Sequence, residues 1–324
     1  MANRGKTYDP KVHTIADLKE HGCANLPKMY SGSIDYFNEG AMDLLTLRDN
    51  EEAYNRYKIR PRILVNVQDV DISGEIFGCK TALPLGFSPA AMHRLAHPDG
   101  ELATSRAAAK AGICMGLSSY ATESIEDVGA QGLGNPYVMQ VCVVKDRSVT
   151  LQILQRAEGD KNDFDPSLDW ETAIPWLRQN TKLQLWIKGV YGAEDVHLAI
   201  KYGLDGVIIS NHGGRQLDGV PATLDALREC AVAAGGKIPI AVDGGIRRGT
   251  DIFKALAMGA THCFVGRIPI WGLAYNGQQG VELALKILTD EFKITMALAG
   301  CKTIKDITRD HLRYLDGNGM LAKL

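Results

Sequence analysis

The sequence predicts an α/β fold, and within that class a (β/α)8 TIM barrel with an N-terminal helical extension. From residue 84 onward, short apolar runs alternate with amphipathic segments, which predicts parallel strands covered by helices. No Gly-x-Gly-x-x-Gly loop follows the first strand, where an open dinucleotide-binding sheet would carry it. The glycine-rich turns instead follow the last two strands, where barrels bind phosphate. The closed barrel is therefore favoured over an open doubly wound sheet.

A single domain is expected over residues 1–324, with the extension at 1–83 and the barrel at 84–324, because no linker or low-complexity tract divides the chain. Helices are predicted over 14–60 from the spacing of apolar residues. Seven barrel strands are predicted, at Pro84–Ser88, Ile113–Ser118, Tyr137–Val143, Leu183–Val190, Gly206–Ser210, Ile238–Asp243 and Thr261–Gly266. Helices are predicted between them, at 100–111, 147–157, 170–179, 193–203, 222–234 and 250–258.

The strand count is one short of the eight that a closed barrel needs. Residues 159–166 contain no β-like run, and a helical segment follows almost directly. A missing strand–helix unit amounts to roughly 25–30 residues at typical element and loop lengths. Either the barrel is atypical, or the sequence omits a mobile segment. We favour the second alternative, which an intact mass well above 35.2 kDa would support and a mass of 35.2 kDa would exclude.

Composition excludes several classes of protein. The chain has 36 Lys and Arg against 38 Asp and Glu, so a nucleic-acid-binding surface is not expected. No apolar run reaches the roughly 18 residues of a membrane span, and Met1–His13 lacks the apolar segment of a secretory signal. The seven cysteines are scattered without a CxxC pair, and no HExxH is present. We therefore expect an intracellular protein with no metal site.

The run Ser210–Asp218 follows an apolar strand and contains the first candidates for chemistry. His212 can act as a base near neutral pH, and Arg215 offers a planar fork for a carboxylate. The alternative is that both are loop residues that serve as caps. The small residues around them favour close approach of a ligand.

Two later turns and one lysine predict an anion site. Asp243-Gly244-Gly245, followed by Arg247, and Gly266-Arg267 each expose backbone N–H groups at a strand end, which suits a phosphate. Lys188 lies inside an otherwise apolar strand and is expected to face an anionic group at the barrel mouth, unless it turns outward to solvent. Ser118 and Gln140, also on strands, could donate to a flat heterocycle or be ordinary core residues.

Together these segments resemble the family of FMN-dependent 2-hydroxy-acid oxidases and dehydrogenases, which includes glycolate oxidase, lactate oxidase and flavocytochrome b2. The resemblance extends from about Leu26 to the end and is specific at four motifs: Leu117-Ser118-Ser119, Lys188-Gly189, Ser210–Asp218 and Asp243–Gly249. It implies a 2-hydroxy acid as substrate, FMN as cofactor, O2 as the expected electron acceptor and a homotetramer. Ala322-Lys323-Leu324 also resembles a peroxisomal address.

The resemblance also implies a role for each matching residue. His212 would be the catalytic base, and Arg215 and Tyr36 would bind the substrate. The residues implied in FMN binding are Pro89, Ala90, Ala91, Ser118, Gln140, Lys188, Ser210, Asp243, Gly244, Gly245, Arg247, Gly266 and Arg267.

Two departures from the family pattern are visible. Cys142 stands where the family has a tyrosine that contacts substrate, and a thiol is a shorter and weaker donor than a phenol. The family's fourth strand and its second substrate-binding arginine have no counterpart between Glu158 and Trp170. These departures keep a flavin-binding pseudo-enzyme and a dehydrogenase with another acceptor as alternatives. A nucleotide-acting barrel enzyme that shares the Asp243–Gly249 motif is a third.

Overall fold

The computed structural model describes residues 8–26, 36–143, 146–148, 150–151 and 167–324. In its described residues the extension contains two helices of 11 and 12 residues, α1 (Ile15–Asn25) and α2 (Leu45–Arg56). Helix α1 begins with a capping box, in which Thr14 and Asp17 satisfy each other's backbone N–H groups. The helical prediction over 14–60 is confirmed for these two segments.

The extension also contains strands that the helical prediction missed. They are β1 (Tyr57–Ile59), β2 (Gly74–Ile76) and β3 (Cys79–Thr81). Strands β2 and β3 form a hairpin, while β1 pairs antiparallel with a strand at the far end of the chain, β11 (Leu312–Leu315). The prediction of helix at 57–59 was wrong because a partner more than 250 residues away leaves no trace in local periodicity.

The seven barrel strands predicted from the sequence are confirmed, each somewhat shorter than predicted. They are β4 (Leu85–Phe87), β5 (Cys114–Leu117), β6 (Tyr137–Met139), β7 (Trp186–Val190), β8 (Gly206–Ile209), β9 (Ile240–Asp243) and β10 (His262–Val265). All neighbours are parallel, in the order β6-β5-β4-β10-β9-β8-β7. The first and last barrel strands, β4 and β10, are therefore paired, as in a closed barrel.

An eighth strand would lie between β6 and β7, the two ends of this sheet. The segment 159–166, where the predicted strand count fell short, lies outside the described residues, as does most of the predicted helix 147–157. The described sheet is thus a barrel that lacks one strand position.

Seven helices from α3 onward accompany the strands in the described part of the chain. They are α3 (Gly100–Ala111), α4 (Ile125–Gly129), α5 (Trp170–Asn180), α6 (Ala193–Lys201), α7 (Thr223–Ala234), α8 (Gly249–Met258) and α9 (Arg267–Ala299). The five predicted helices within the described residues are confirmed to within two residues at each end, whereas α4 and α9 were not predicted. Helix α9 is interrupted at Asn276–Gly277. None of the described helices is long and apolar enough to cross a membrane.

Burial explains why the strands read as unbroken apolar runs. Every residue of β4, β5, β8, β9 and β10 is buried, since helices cover the outer face and side chains fill the interior. A short strand β12 (Leu321–Ala322) completes the small sheet with β1 and β11. Since the barrel strands are parallel, their carboxyl ends form one rim, and the predicted site residues follow those ends.

Candidate active site

A largely buried ionic cluster lies at this rim. Lys188, on β7, places its Nζ 3.1 Å from Asp243 Oδ2 on β9 and donates a hydrogen bond to Ser210 Oγ at 2.7 Å. Ser88 Oγ donates to the same Asp243 oxygen at 2.9 Å, and Asp243 is only 6% exposed. Burial alone would raise the pKa of Asp243, but Lys188 and the serine hydroxyls outweigh burial and hold that pKa below its usual range. Lys188 therefore faces the Asp243 carboxylate across the strand ends.

His212 lies directly beside this cluster. Its backbone adopts a positive φ of 53° and its N–H donates to Ser210 Oγ at 3.1 Å. The residue is solvent-accessible, as a group that meets a substrate must be, and its ring has no hydrogen-bond partner in the described part of the chain. Partial desolvation, followed by the charges of Lys188 and nearby arginines, lowers the pKa of His212 against the opposing effect of Asp243. The lowered pKa favours the neutral imidazole, which can accept a proton.

Arg215 and Tyr36 are brought together across 179 residues of sequence. The Arg215 guanidinium lies over the Tyr36 ring, 5.0 Å from its centroid, and Nη1 donates to the carbonyls of Tyr36 and Glu39. Among the described residues, Nη2 and Nε of Arg215 have no acceptor. These donors remain available for a carboxylate.

Arg267 was predicted to hold a phosphate, but in this structure its side chain bonds backbone carbonyls. Its Nε, Nη1 and Nη2 donate to the carbonyls of Phe37, Gly213 and Glu39 at 2.7, 3.1 and 2.9 Å. Burial, together with the charges of the other arginines, lowers the pKa of Arg267 to about 10. In this structure the side chain thus fastens the segment 37–39 of the extension to the loop that carries His212. A role at a phosphate stays a prediction.

Arg247 faces a cavity of about 230 Å³. Its Nη2 donates to Glu51 Oε1 at 2.8 Å, and its guanidinium lies 4.9 Å from the centroid of a Trp271 ring. The cavity is lined by Lys19, Asn38, Leu47, Arg48, Glu51, Glu52, Arg247, Arg267 and Trp271. Four of these side chains are cationic and two are acidic, so the cavity is suited to an anion.

The turn after β9 depends on glycine. Gly244 and Gly245 have φ of 100° and 76°, a region that side-chain-bearing residues rarely adopt. A Cβ at Gly245 would lie 1.8 Å from the Asn50 carbonyl oxygen on α2, so the backbone of α2 leaves no room for one. At Gly266, in contrast, the nearest neighbour of an added Cβ would be Ser88 at 3.8 Å. Gly266 also caps α9, whose N-terminal dipole favours an anion there.

Ser118, Gln140 and Cys142 form a hydrogen-bonded chain at the ends of β5 and β6. Ser118 Oγ donates to Gln140 Oε1 at 3.2 Å, and Gln140 Nε2 donates to Cys142 Sγ at 2.8 Å. The backbone segment Pro89–Ala91 follows β4 and is half-buried at the same rim. The structure therefore gathers these predicted residues on one side of the mouth.

Three polar atoms of this rim are buried without a partner in the described part of the chain: Asp243 Oδ1, Arg247 Nε and Ser119 Oγ. Buried polar atoms are normally paired, so a ligand with several donors and acceptors is expected to satisfy them. Ribityl hydroxyls and a phosphate provide such groups. The residues present therefore fit FMN. No group of residues suited to a metal ion occurs among those described.

Some residues that organise the site were not singled out in the sequence analysis. Ser88 bonds Asp243, and the Asp218 carboxylate accepts from the backbone N–H groups of Asp43, Leu45 and Thr46 at 2.8–3.2 Å. The amides of Asn50 and Asn211 bond each other. Asp218 and Asn211 stand within the motif around His212, which was the available signal. No local pattern distinguishes Asn50.

Comparison with known proteins agrees with this geometry. The sequence profile of the FMN-dependent dehydrogenase family matches residues 25–163 and 158–314. Oxidase FUB9 of Gibberella fujikuroi is 46% identical over 352 residues, covering 97% of this chain and 98% of the oxidase. Glycolate oxidase 3 of Arabidopsis thaliana is 41% identical over 359 residues, covering 94% of this chain and 96% of that protein.

Solved structures show the same architecture. Mandelate oxidase with benzoyl-formic acid matches with a TM-score of 0.85 and 32% identity, covering 92% of this chain and 97% of that chain. A flavocytochrome b2 variant with pyruvate bound matches with a TM-score of 0.88 and 30% identity, covering 95% of this chain and 87% of that chain.

The comparisons also bear on the predicted strand count. The alignments with Oxidase FUB9 and glycolate oxidase 3 span 352 and 359 residues, more than the 324 residues of this chain. These two relatives therefore carry residues for which this chain has no counterpart. The family match consists of two parts that overlap at residues 158–163, on the segment where the strand count falls short. The junction between the two parts of the family match therefore coincides with the place where the predicted strand count falls short.

Proposed function

The chain belongs to the FMN-dependent dehydrogenase family, and on that premise we propose that it oxidises an (S)-2-hydroxy acid to the corresponding 2-oxo acid with FMN as cofactor. The observation that carries the proposal is the arrangement of Lys188, Asp243 and Ser210 beside a neutral His212 whose ring has no partner among the described residues. A base and an anion-stabilising cation in one mouth are what this oxidation requires.

Two parts of the rim would hold the cofactor. The N–H groups of the glycine turns, with Arg247, would hold the phosphate, and Asp243 Oδ1 would accept from a ribityl hydroxyl. Pro89–Ala91, Ser118, Gln140, Lys188 and Ser210 would surround the ring system. When bound, FMN supplies a two-electron acceptor. The Lys188 ammonium would stabilise negative charge that develops beside it.

The substrate would be bound and deprotonated by the other part of the mouth. The available donors of Arg215 would bind its carboxylate, with Tyr36 alongside. Oxidation to the 2-oxo acid removes two electrons and two protons from the substrate. A ring nitrogen of His212 would accept one of those protons, which its lowered pKa allows at neutral pH.

Cys142 supports a preference for larger acids. A cysteine is much smaller than the tyrosine that the family resemblance places here, and its sulfur already accepts a hydrogen bond from Gln140. The side chain therefore leaves more room and offers less help to a small substrate. We infer that a bulkier 2-hydroxy acid is oxidised in preference to glycolate.

Three finer points are part of the same proposal. O2 is the inferred acceptor, which would give H2O2, and a homotetramer is the inferred assembly. A peroxisomal location stays a prediction from Ala322-Lys323-Leu324. Peroxide assays, light scattering and microscopy of the tagged protein test these points in turn.

The decisive experiment is an anaerobic absorbance titration of the FMN-loaded protein with glycolate, (S)-lactate and (S)-mandelate. Bleaching of the flavin band at about 450 nm, with 2-oxo acid formed in equal amount, is expected. (R)-Mandelate and the His212→Asn variant are the controls that should leave the band unchanged. A yellow protein that no 2-hydroxy acid bleaches would contradict the proposal and favour a flavin-binding pseudo-enzyme.

A further inference from the structure

Glu101 is a fully buried carboxylate in the first turn of α3, with 0% exposure. Its Oε1 accepts hydrogen bonds from the backbone N–H of His93 at 3.1 Å and of Thr122 at 2.9 Å. Its Oε2 accepts from the Thr122 hydroxyl. A carboxylate is rarely buried unless several donors compensate its lost hydration, and here three donors do so.

The donors come from two different loops of the rim. His93 belongs to the β4 loop, residues 88–95, which contains Pro89–Ala91. Thr122 belongs to the β5 loop, residues 118–124, which begins with Ser118. Glu101 thus bonds at once to both loops that are implied in surrounding the flavin ring.

Further contacts join the same two loops. The Met92 N–H donates to the Tyr120 carbonyl at 3.1 Å, and the Arg94 N–H donates to Thr122 Oγ1 at 3.3 Å. The Arg94 side chain pairs with Glu123 at the surface. The contacts of Glu101 differ from these direct contacts between the loops. The Glu101 side chain is buried, it bonds both loops, and it is carried by helix α3.

Charge strengthens the bonds that Glu101 accepts. Burial acts to raise its pKa, but His93 and the hydrogen bonds of Thr122 outweigh burial and lower it. The His93 ring is itself buried, bonds Thr104 Oγ1 through Nδ1 at 3.0 Å, and has its pKa lowered chiefly by burial. An ionised acceptor forms stronger hydrogen bonds than a neutral one.

We propose that Glu101 is a positioning residue that locks the β4 and β5 loops into one rigid part of the rim. It thereby sets the backbone of Pro89–Ala91 against the chain of hydrogen bonds from Ser118 to Cys142. The inference rests on the proposed function only for the identity of the ligand that this rim binds. The locking of the loops is a property of the chain alone.

The test compares Glu101→Leu with Glu101→Gln. Leucine has a similar size but accepts no hydrogen bond, so the buried N–H of His93 and the less buried N–H of Thr122 lose their partner. Glutamine keeps an acceptor oxygen, and its amide can donate to Thr122 Oγ1. In the cofactor-free protein, amide hydrogen exchange in both loops should rise about tenfold for Glu101→Leu and less for Glu101→Gln. The dissociation constant for FMN should rise by a similar factor.

Glu126→Gln is the matched control, because Glu126 is an exposed carboxylate in the first turn of α4, just after the β5 loop. It should change neither quantity. A folded Glu101→Leu protein with unchanged loop exchange and FMN affinity would overturn the inference. So would exchange that rises equally in the loops and throughout the core, since that marks a general loss of stability.

If Glu101→Leu does not fold, Glu101→Gln and Thr122→Val decide the question by the same two readouts. Thr122→Val removes only the hydroxyl donor to Oε2. Failure of the unaltered protein to bind FMN would defeat the proposed function, while the exchange measurement would still test the locking of the loops.

Discussion

Lys188→Met should destabilise the cofactor-free protein much more than removal of a surface lysine. The Lys188 ammonium lies 3.1 Å from Asp243 Oδ2, and the two side chains are 23% and 8% exposed. Methionine keeps the length of the side chain but removes its charge. Asp243 would then retain Ser88 as a donor but lose its counter-ion.

The size of the effect follows from distance and burial. At an effective dielectric constant of about 20, two unit charges at this separation attract by roughly 5 kcal/mol. Residual exposure of Lys188 weakens this attraction, and Asp243 can escape part of the cost by binding a proton. Breaking a buried pair costs about 3–5 kcal/mol in general. We therefore expect the free energy of unfolding to fall by about 3 kcal/mol at pH 7.

The matched control is Lys110→Met. Lys110 Nζ lies 2.6 Å from Glu282 Oε2, which is closer than the buried pair, but the two side chains are 67% and 25% exposed. Exposed pairs contribute about 0–1 kcal/mol because water screens them. Comparison of the two variants therefore separates the effect of burial on stability from the effect of the distance between the charges.

Urea unfolding, followed by tryptophan fluorescence at pH 7 and pH 5, measures both free energies. In the unaltered protein the low pKa of Asp243 contributes stability above the unfolded pKa, and this is lost as pH falls through the folded pKa. In Lys188→Met the pKa of Asp243 should be raised. The loss in free energy of unfolding is then largest at high pH and becomes smaller as Asp243 binds a proton. Equal losses of unfolding free energy in Lys188→Met and Lys110→Met would refute the reasoning. So would a difference between the two losses that stays the same at pH 5.

Four further predictions concern the mouth and its support. His212→Asn should lower kcat by about 10²–10⁴-fold while the FMN dissociation constant stays within a small factor, and an equal loss of FMN binding would contradict the assigned role. Because the pKa of His212 is lowered, the acid-side fall in kcat/KM should have its midpoint below that of an ordinary histidine; a midpoint above it would contradict the base role. Cys142→Tyr should improve kcat/KM for glycolate relative to mandelate, and the reverse order would refute the assigned effect of the smaller side chain. Gly245→Ala should prevent stable folding, since its Cβ would lie 1.8 Å from Asn50 O; circular dichroism and a normal thermal transition would show otherwise.

Much of the barrel could be predicted from local patterns, because buried parallel strands and amphipathic helices carry their periodicity in a few consecutive residues. The seven strands fall where the apolar runs stand, and the glycine turns after β9 and β10 end at the rim. Strand β1 could not be predicted, since it exists only by pairing with β11. Helix α9 was likewise not predicted, and a break at Asn276–Gly277 interrupts its course.

Lys188 illustrates what the sequence alone determined about the site. A lysine inside an apolar strand is expected to face a compensating anion unless it turns outward to solvent, because a buried unpaired charge is too costly. That argument holds without knowledge of the partner. Likewise, the motif around His212 and the glycine turns predicted a candidate base beside an anion site, since those residue types restrict what can bind there.

Only the tertiary structure decided which groups become partners. It identified Asp243 as the anion that faces Lys188, directed Arg267 to carbonyls of the extension, and joined two rim loops through Glu101. These contacts connect residues on different strands, helices and loops, in most cases many residues apart. Their geometry depends on how the packed strands and helices align, which no short window of sequence contains.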